Sequence, residues 1–374
     1  MPRFLHTADW QIGRQYQSFD PEDAPVLADA RFQAVERIAQ LACSQNCDAV
    51  LVAGDVFDAQ TVSDRTIRRL FNAMAGFSGP WVMIPGNHDA ALAESVWTRA
   101  RRLDAIPAHV HVSLEPEIIP FPDQGFAALS APLTQRHTHS DLTEWFDRAQ
   151  TPAGLLRIGL AHGSVQGILA DEIDSPNPIA ADRAGRAQLD YLALGDWHGC
   201  KPIDARTWYS GTPEQDRFKS NGAGQVLIVD IASAGAQPIV TPMPVGQYPW
   251  QQWQQTLAVP SDIDQFIERL ERVEQPSVLS ITLDGQTDLA GEQRVRDALS
   301  QAEARHRSVQ SDLSALLLYP TQDDIAALHA DGYLGEVVTE LREHQQGEQV
   351  DTAREALTIL AGLLRTRQPQ EDKA

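Results

Sequence analysis

Two rhythms of apolar residues run along this chain. Ala49 to Ala53 and Trp81 to Ile84 are apolar throughout, as expected for strands buried on both faces, and Phe4 to Ala8 is read with them. Between these runs the period lengthens. Leu27 to Leu41 sets Leu27, Ala34, Val35, Ile38 and Leu41 on one helical face, and a second helix starts at the N-cap Ser63 and turns Ile67, Leu70, Phe71 and Met74 inward. Further strands are predicted at His109 to Val112, Phe126 to Ser130, Leu156 to Leu160, Tyr191 to Leu194, Thr207 to Ser210 and Gln225 to Ile231. Strands alternating with helices predict an α/β fold in layers.

Pro242, Pro244, Gly246 and Pro249 then punctuate the chain, and the domain boundary is placed there. The first domain is residues 1–245 and the second 246–345, leaving 346–374 as a C-terminal helix and a frayed tail. In the second domain, a strand at Ser277 to Leu283, a helix at Glu292 to Arg305 and a strand at Leu313 to Leu318 make a small βαβ-like unit without a chemistry-bearing cluster. Trp250 to Gln255 reads as a glutamine and tryptophan patch. A helix from Asp324 to Leu341, broken at Gly332, precedes a stripe of Ala356, Leu357, Leu360, Leu363 and Leu364. That stripe suits packing on its own domain or docking on a partner.

The residues just past each strand are more telling. Phe4 to Ala8 ends in Asp9 and Gln11; Ala49 to Ala53 in Gly54-Asp55-Val56-Phe57-Asp58; Trp81 to Ile84 in Pro85-Gly86-Asn87-His88-Asp89. Two later strands end in His162-Gly163 and in Gly195-Asp196-Trp197-His198. A single Asp after a strand is ordinarily a turn or a cap, and a single buried His is ordinarily held by a carbonyl. Isolated turns do not ask for oxygen and imidazole ligands gathered at one end of a sheet, where open α/β folds hold their ligands.

Composition narrows the function. The 374 residues are 43% hydrophobic, enough for a sizeable core and two domains, and they contain no apolar run of membrane-span length. A cytoplasmic protein is expected, since the N-terminus enters a strand rather than a signal segment and Cys43, Cys47 and Cys200 are too few for a disulfide framework. The net charge of −21 argues against a broad nucleic-acid-coating surface. A nucleic-acid substrate would have to meet a local positive track, or metal ions.

In their order and spacing, Asp9-x-Gln11, Gly54-Asp55-x-x-Asp58, Gly86-Asn87-His88-Asp89, His162-Gly163 and Gly195-Asp196-x-His198 resemble the motifs of the calcineurin-like binuclear metallophosphoesterases. The opening His6-Thr7-Ala8-Asp9, the Gly211-Thr212-Pro213 segment and the trailing βαβ unit are similar to those of SbcD-type DNA repair nucleases. This resemblance implies a layered α/β/β/α metallophosphoesterase sandwich with a smaller C-terminal α+β capping domain. It also implies two divalent metal ions, one on Asp9, Gln11, Asp55 and His198, the other on Asp55, Asn87, His162 and Asp196. The family usually carries His at the positions of Gln11 and Asp196. Replacing nitrogen by oxygen hardens the coordination and favours Mn²⁺ over Zn²⁺.

The implied activity is manganese-dependent phosphodiester hydrolysis in DNA repair, endonuclease or exonuclease, on single-stranded or end-processed DNA, with an SbcC-like ATPase partner and a homodimer also implied. His88 would protonate the leaving oxygen and Asp58 would orient His88. Arg14 and Arg65 are candidate substrate contacts. Two alternatives are carried: a phosphomonoesterase or protein phosphatase of the same superfamily, and a non-catalytic scaffold that recruits a helicase or ATPase. Ala59 stands where such phosphatases carry Arg, which weighs against the first.

Overall fold

The computed structural model describes residues 2–168, 176–274, 276–319, 333–344 and, near the C-terminus, 352–353, 355–357 and 359–360. The chain divides into two compact units, Met1–Gln247 and Tyr248–Ala374. No helix among the described residues is long and apolar enough to cross a membrane.

The first unit opens with β1 (Arg3–Thr7), α1 (Ala24–Ser44), β2 (Ala49–Ala53), α2 (Asp64–Ala73), β3 (Trp81–Ile84), α3 (Val96–Arg102) and β4 (Val110–Val112). Next come β5 (Glu117–Phe121), β6 (Phe126–Ala131), β7 (Leu156–His162) and the short β8 (Ser164–Val165) and β9 (Pro178–Ile179). It closes with α4 (Arg183–Arg186), β10 (Tyr191–Gly195), β11 (Lys201–Pro202), β12 (Thr207–Tyr209), β13 (Gln225–Asp230) and β14 (Ile239–Pro244). One six-stranded sheet has the order β14-β13-β1-β2-β3-β4 and the other β11-β12-β10-β7-β6-β5. The central strands β1, β2, β3 and β4 are mutually parallel, as are β6, β7, β10 and β12.

Period-two alternation explains the layers. From the first sheet, Leu51, Val82 and Ile84 pack with Phe126, Ile158, Leu160 and Tyr191 of the second in a shared core. Their neighbours Val50, Val52, Trp81 and Met83 face the other way, against Phe32, Val35 and Ile38 of α1 and Ile67, Leu70 and Phe71 of α2. The outer face of the second sheet carries Leu129, Leu192 and Leu194 under Phe146 and Ala184. The result is helix, sheet, sheet, helix. His6 lies in the inter-sheet core, its Nδ1 3.0 Å from the Tyr191 hydroxyl and its Nε2 3.2 Å from the Leu194 carbonyl. Burial drives its pKa down to about 3, so it folds neutral.

The second unit is β15 (Trp250–Leu257), α5 (Pro260–Glu271), β16 (Val278–Thr287), α6 (Leu289–Arg305), β17 (Ser308–Leu318) and α7 (Tyr333–His344). Its three strands are parallel in the order β15-β16-β17, with Ile263, Phe266, Val295 and Leu299 of the helices over Trp253, Leu279, Ile281 and Leu283. The Trp250 patch is therefore a strand. Helix α7 begins just after Gly332, while residues 324–332 of the predicted helix lie outside the described residues. Leu357 and Leu360 of the apolar stripe pack against Val338 and Leu341; its Leu363 and Leu364 lie outside the described residues.

Candidate metal centre

Parallel strands bring their C-terminal ends to one edge, and here that edge is polar. Strand β1 runs into Asp9 and Gln11, β2 into Asp55, β3 into Asn87 and His88, β10 into Asp196 and His198, and β7 ends on His162. Asp9, Gln11, Asp55 and Asp196 all take positive φ, at 55°, 44°, 51° and 99°. Non-glycine residues adopt that conformation only when their surroundings hold them there. Here the strand ends hold one another: Asp9 N–H donates to the Gly54 carbonyl at 3.0 Å, Gln11 N–H to that of Asp55 at 2.9 Å, and Asp196 N–H to the Asp9 carboxylate at 3.1 Å. Two glycines make room. A Cβ on Gly54, whose φ is +91°, would lie 2.2 Å from His162 Nδ1, and one on Gly86 would lie 2.2 Å from Asp55 Oδ1.

Asp9, Asp55 and His162 are buried and bring their ligand atoms within 4.8 Å of one another. His162 Nδ1 lies 2.8 Å from the Ala53 carbonyl, which can only accept, so Nδ1 carries a proton and Nε2 faces the cluster. That Nε2 is 3.0 Å from the Asn87 amide oxygen, 3.5 Å from Asp55 Oδ1 and 3.8 Å from Asp196 Oδ1. The same amide oxygen sits 3.0 and 3.1 Å from the two Asp55 carboxylate oxygens, oxygen facing oxygen. Donors spaced around a small divalent ion at about 2.1 Å are about 3.0 Å apart when adjacent and about 4.2 Å apart when opposite. The observed separations fit that range. Turning the Asn87 amide over would place N–H donors at the same spot, so the pocket is built to receive positive charge in either orientation.

Electrostatics agree. Burial pushes the Asp9 carboxyl up to about 6, with Asp55 and Asp196 adding and His198 and His162 opposing. Burial disfavours a charged His162, yet Asp55, Asp9 and Asp196 outweigh it and hold the imidazolium up to about 9. The free protein thus carries its compensating charge here as a proton, which a divalent ion would displace on binding. The residues present fit such an ion.

The His198 side is built differently. Its Nδ1 lies 3.0 Å from Asp216 Oδ2, and its Nε2 is 3.2 Å from the Gln11 amide nitrogen. The Gln11 amide oxygen accepts from Arg14, which also meets Asp216 at 3.2 Å. Asp216 is buried among Arg14, Arg31, Arg217 and His198. Burial alone would raise its pKa, but the hydrogen bond from His198 and these charges pull it well below the usual carboxylate range. The sequence reading missed Asp216 and Arg31. Nothing local marks them, because Arg31 lies on α1 and meets Asp216 only through the fold.

His88 is half-buried at the rim. Its N–H donates to Asp55 at 2.9 Å, and its Nδ1 lies 2.8 Å from the main-chain carbonyl of Asp58. The expectation that the Asp58 carboxylate orients His88 is corrected to this extent: the contact comes from the backbone, while the carboxylate lies 3.9 Å from Arg14. Asp89, also missed, is buried and accepts from the N–H groups of Gly86, Val56 and Phe57 at 2.7, 3.0 and 3.1 Å, tying two ligand loops together. Arg65 is exposed on α2, whereas Arg69 and Arg102 pair with Asp29 and Glu94.

The chain belongs to the calcineurin-like phosphoesterase family, whose model matches residues 2–228. Among characterised sequences it is 28% identical over 309 residues to the SbcD component of the nuclease SbcCD of Rhodobacter capsulatus, covering 67% of this chain and 72% of that protein. It is 26% identical to the DNA double-strand break repair protein Mre11 of Aeropyrum pernix, covering 67% and 62%, and 24% identical to the uncharacterised metallophosphoesterase YhaO of Bacillus subtilis, covering 62% and 57%.

Proposed function

We propose that this protein is a divalent-metal-dependent DNA phosphodiesterase of repair, acting on single-stranded or end-processed DNA with manganese as its working metal. The observation that carries the reading is the electron-rich pocket of Asp55, Asn87 and His162 at the strand ends. The names of the Rhodobacter and Aeropyrum relatives support DNA as the substrate.

Asp9, Asp55, Asn87, His162, Asp196 and His198 would hold the metal. When bound, divalent ions supply charge neutralisation at the phosphoryl oxygens and make the attacking water more acidic. The rest falls to the chain. His88, 31% exposed and with Nε2 3.9 Å from Asp55 Oδ2, stands at the rim facing the substrate. With Nδ1 committed to the Asp58 carbonyl, the imidazolium delivers its Nε2 proton to the leaving oxygen. Arg14, 28% exposed, and Arg65 offer positive charge to the flanking phosphates. Because the Rhodobacter relative is by name one component of a larger nuclease, we extend the proposal to an ATPase partner of the SbcC kind and to a homodimer.

The test is incubation with Mn²⁺ of end-labelled linear and circular single strands alongside p-nitrophenyl phosphate. Cleavage of linear DNA is expected, and cleaved circles would assign endonuclease action. Hydrolysis of the nitrophenyl ester with intact oligonucleotides would replace this reading by a phosphomonoesterase. Intact substrates with Mn²⁺ bound would leave the scaffold reading.

A further inference from the structure

We propose that the two sides of the centre bind metal unequally, with one tight divalent position around Asp55, Asn87 and His162 and a weak one at His198, closed by a ring of hydrogen bonds through Gln11, Arg14 and Asp216. This rests on the metal-centre reading above and deepens it.

Donor chemistry fixes the ring. Arg14 can only donate, so the Gln11 atom facing it is the amide oxygen. The Gln11 amide nitrogen then points at His198 Nε2, 3.2 Å away, and that nitrogen must accept. His198 Nδ1 therefore carries the proton and donates to Asp216 Oδ2 at 3.0 Å, and Arg14 closes the ring on the same oxygen at 3.2 Å. Arg217 also comes within 2.7 Å of Nδ1. Giving it that lone pair would put a proton on Nε2 against the Gln11 N–H, so the ring decides the tautomer.

A metal at His198 therefore meets two obstacles. The lone pair that His198 would offer is already used, and Gln11 keeps no oxygen directed at the centre. A guanidinium within hydrogen-bond reach of Gln11 adds like-charge repulsion to any cation placed there. Nothing comparable stands on the His162 side, where Asp9, Asp55 and His162 already converge within 4.8 Å.

The experiment is a Mn²⁺ titration of the full chain by calorimetry, with low-temperature electron paramagnetic resonance at each stoichiometry. The wild type should take up one Mn²⁺ per chain with a mononuclear signal and a second at least tenfold more weakly. Arg14→Ala and Gln11→His should each tighten the second ion by tenfold or more and bring in an exchange-coupled signal. Circular dichroism of both variants guards against misfolding, and the wild-type stoichiometry tests the idea without them. Two ions of equal affinity in the wild type, or an unchanged ratio in folded variants, would overturn the asymmetry and leave the metal centre standing. No Mn²⁺ uptake at all would overturn both.

Discussion

His162 and His198 sit at the ends of two strands that lie side by side, β7 and β10, and both have Nδ1 held by an oxygen, the Ala53 carbonyl at 2.8 Å and Asp216 at 3.0 Å. They part at the other nitrogen. His162 Nε2 looks into Asp55, Asn87 and Asp196, while His198 Nε2 meets an amide N–H. The same residue type at equivalent strand ends thus yields an open ligand in one case and a satisfied hydrogen-bond acceptor in the other. What distinguishes them is the partner of Nε2, which the rest of the fold supplies.

The largest effect should come from removing the shared carboxylate. Asp55→Asn is expected to lower metal affinity by more than about 100-fold and to abolish turnover, as metal content and single-turnover rates would show. If Asp55→Asn retains its metal, the His162 side is not a site. His88→Ala should lower turnover by roughly 10²- to 10⁴-fold while metal content stays at the wild-type level, which separates proton delivery from metal binding. Unchanged turnover would remove His88 from that role.

Asp216→Asn sharpens the contrast. It weakens the anchor of His198 and leaves His162 alone, so the weaker ion should shift by about 10-fold and the tighter one hardly at all. Equal weakening of both would mean the two sides are mechanically coupled. The smallest effect concerns the frame. His6 has its pKa lowered by burial to about 3, so the stability it contributes is complete above the unfolded value near 6.5 and declines as pH falls from there toward 3. The loss is at most about 1.4 kcal/mol per pH unit. Thermal unfolding of wild type against His6→Gln between pH 7 and 5 should show a shallower decline in the variant; parallel curves would contradict a neutral buried His6.

Much of this could be seen in the sequence, and for identifiable reasons. Strands buried on both faces read as unbroken apolar runs, so β2 and β3 were plain, and the residues that leave them form the site. Helix α1 was legible from Leu27 to Leu41 and runs from Ala24 to Ser44, its ends being set by fraying rather than by a strong cap. Strand β15 was hidden because Trp250, Trp253 and Leu257 recur at a helical spacing, and only pairing with β16 makes it extended. Strand β14 was hidden by Pro242 and Pro244, tolerated because it lies at the sheet edge.

The site divides the same way. Ligand candidates directly after strands could be found, whereas Asp89 and Asp216 could not, since a buried carboxylate shows its role only through partners distant in sequence. The second unit is instructive here. It repeats the parallel strand and helix alternation, but the residue after β16, Asp288, caps α6 by accepting from the Gly291 N–H at 2.7 Å. Its one positive φ among the described residues is at Gly285, so no carboxylate there is bent toward a neighbouring strand end.

The central claim is that the strand-end pocket receives a divalent cation, and anomalous diffraction from crystals soaked in Mn²⁺ tests it most directly. The account predicts a peak bounded by Asp55, Asn87 and His162, with the Asn87 amide oxygen turned toward it. A map with Mn²⁺ elsewhere, and the Asn87 nitrogen donating to Asp55 in this pocket, would contradict it.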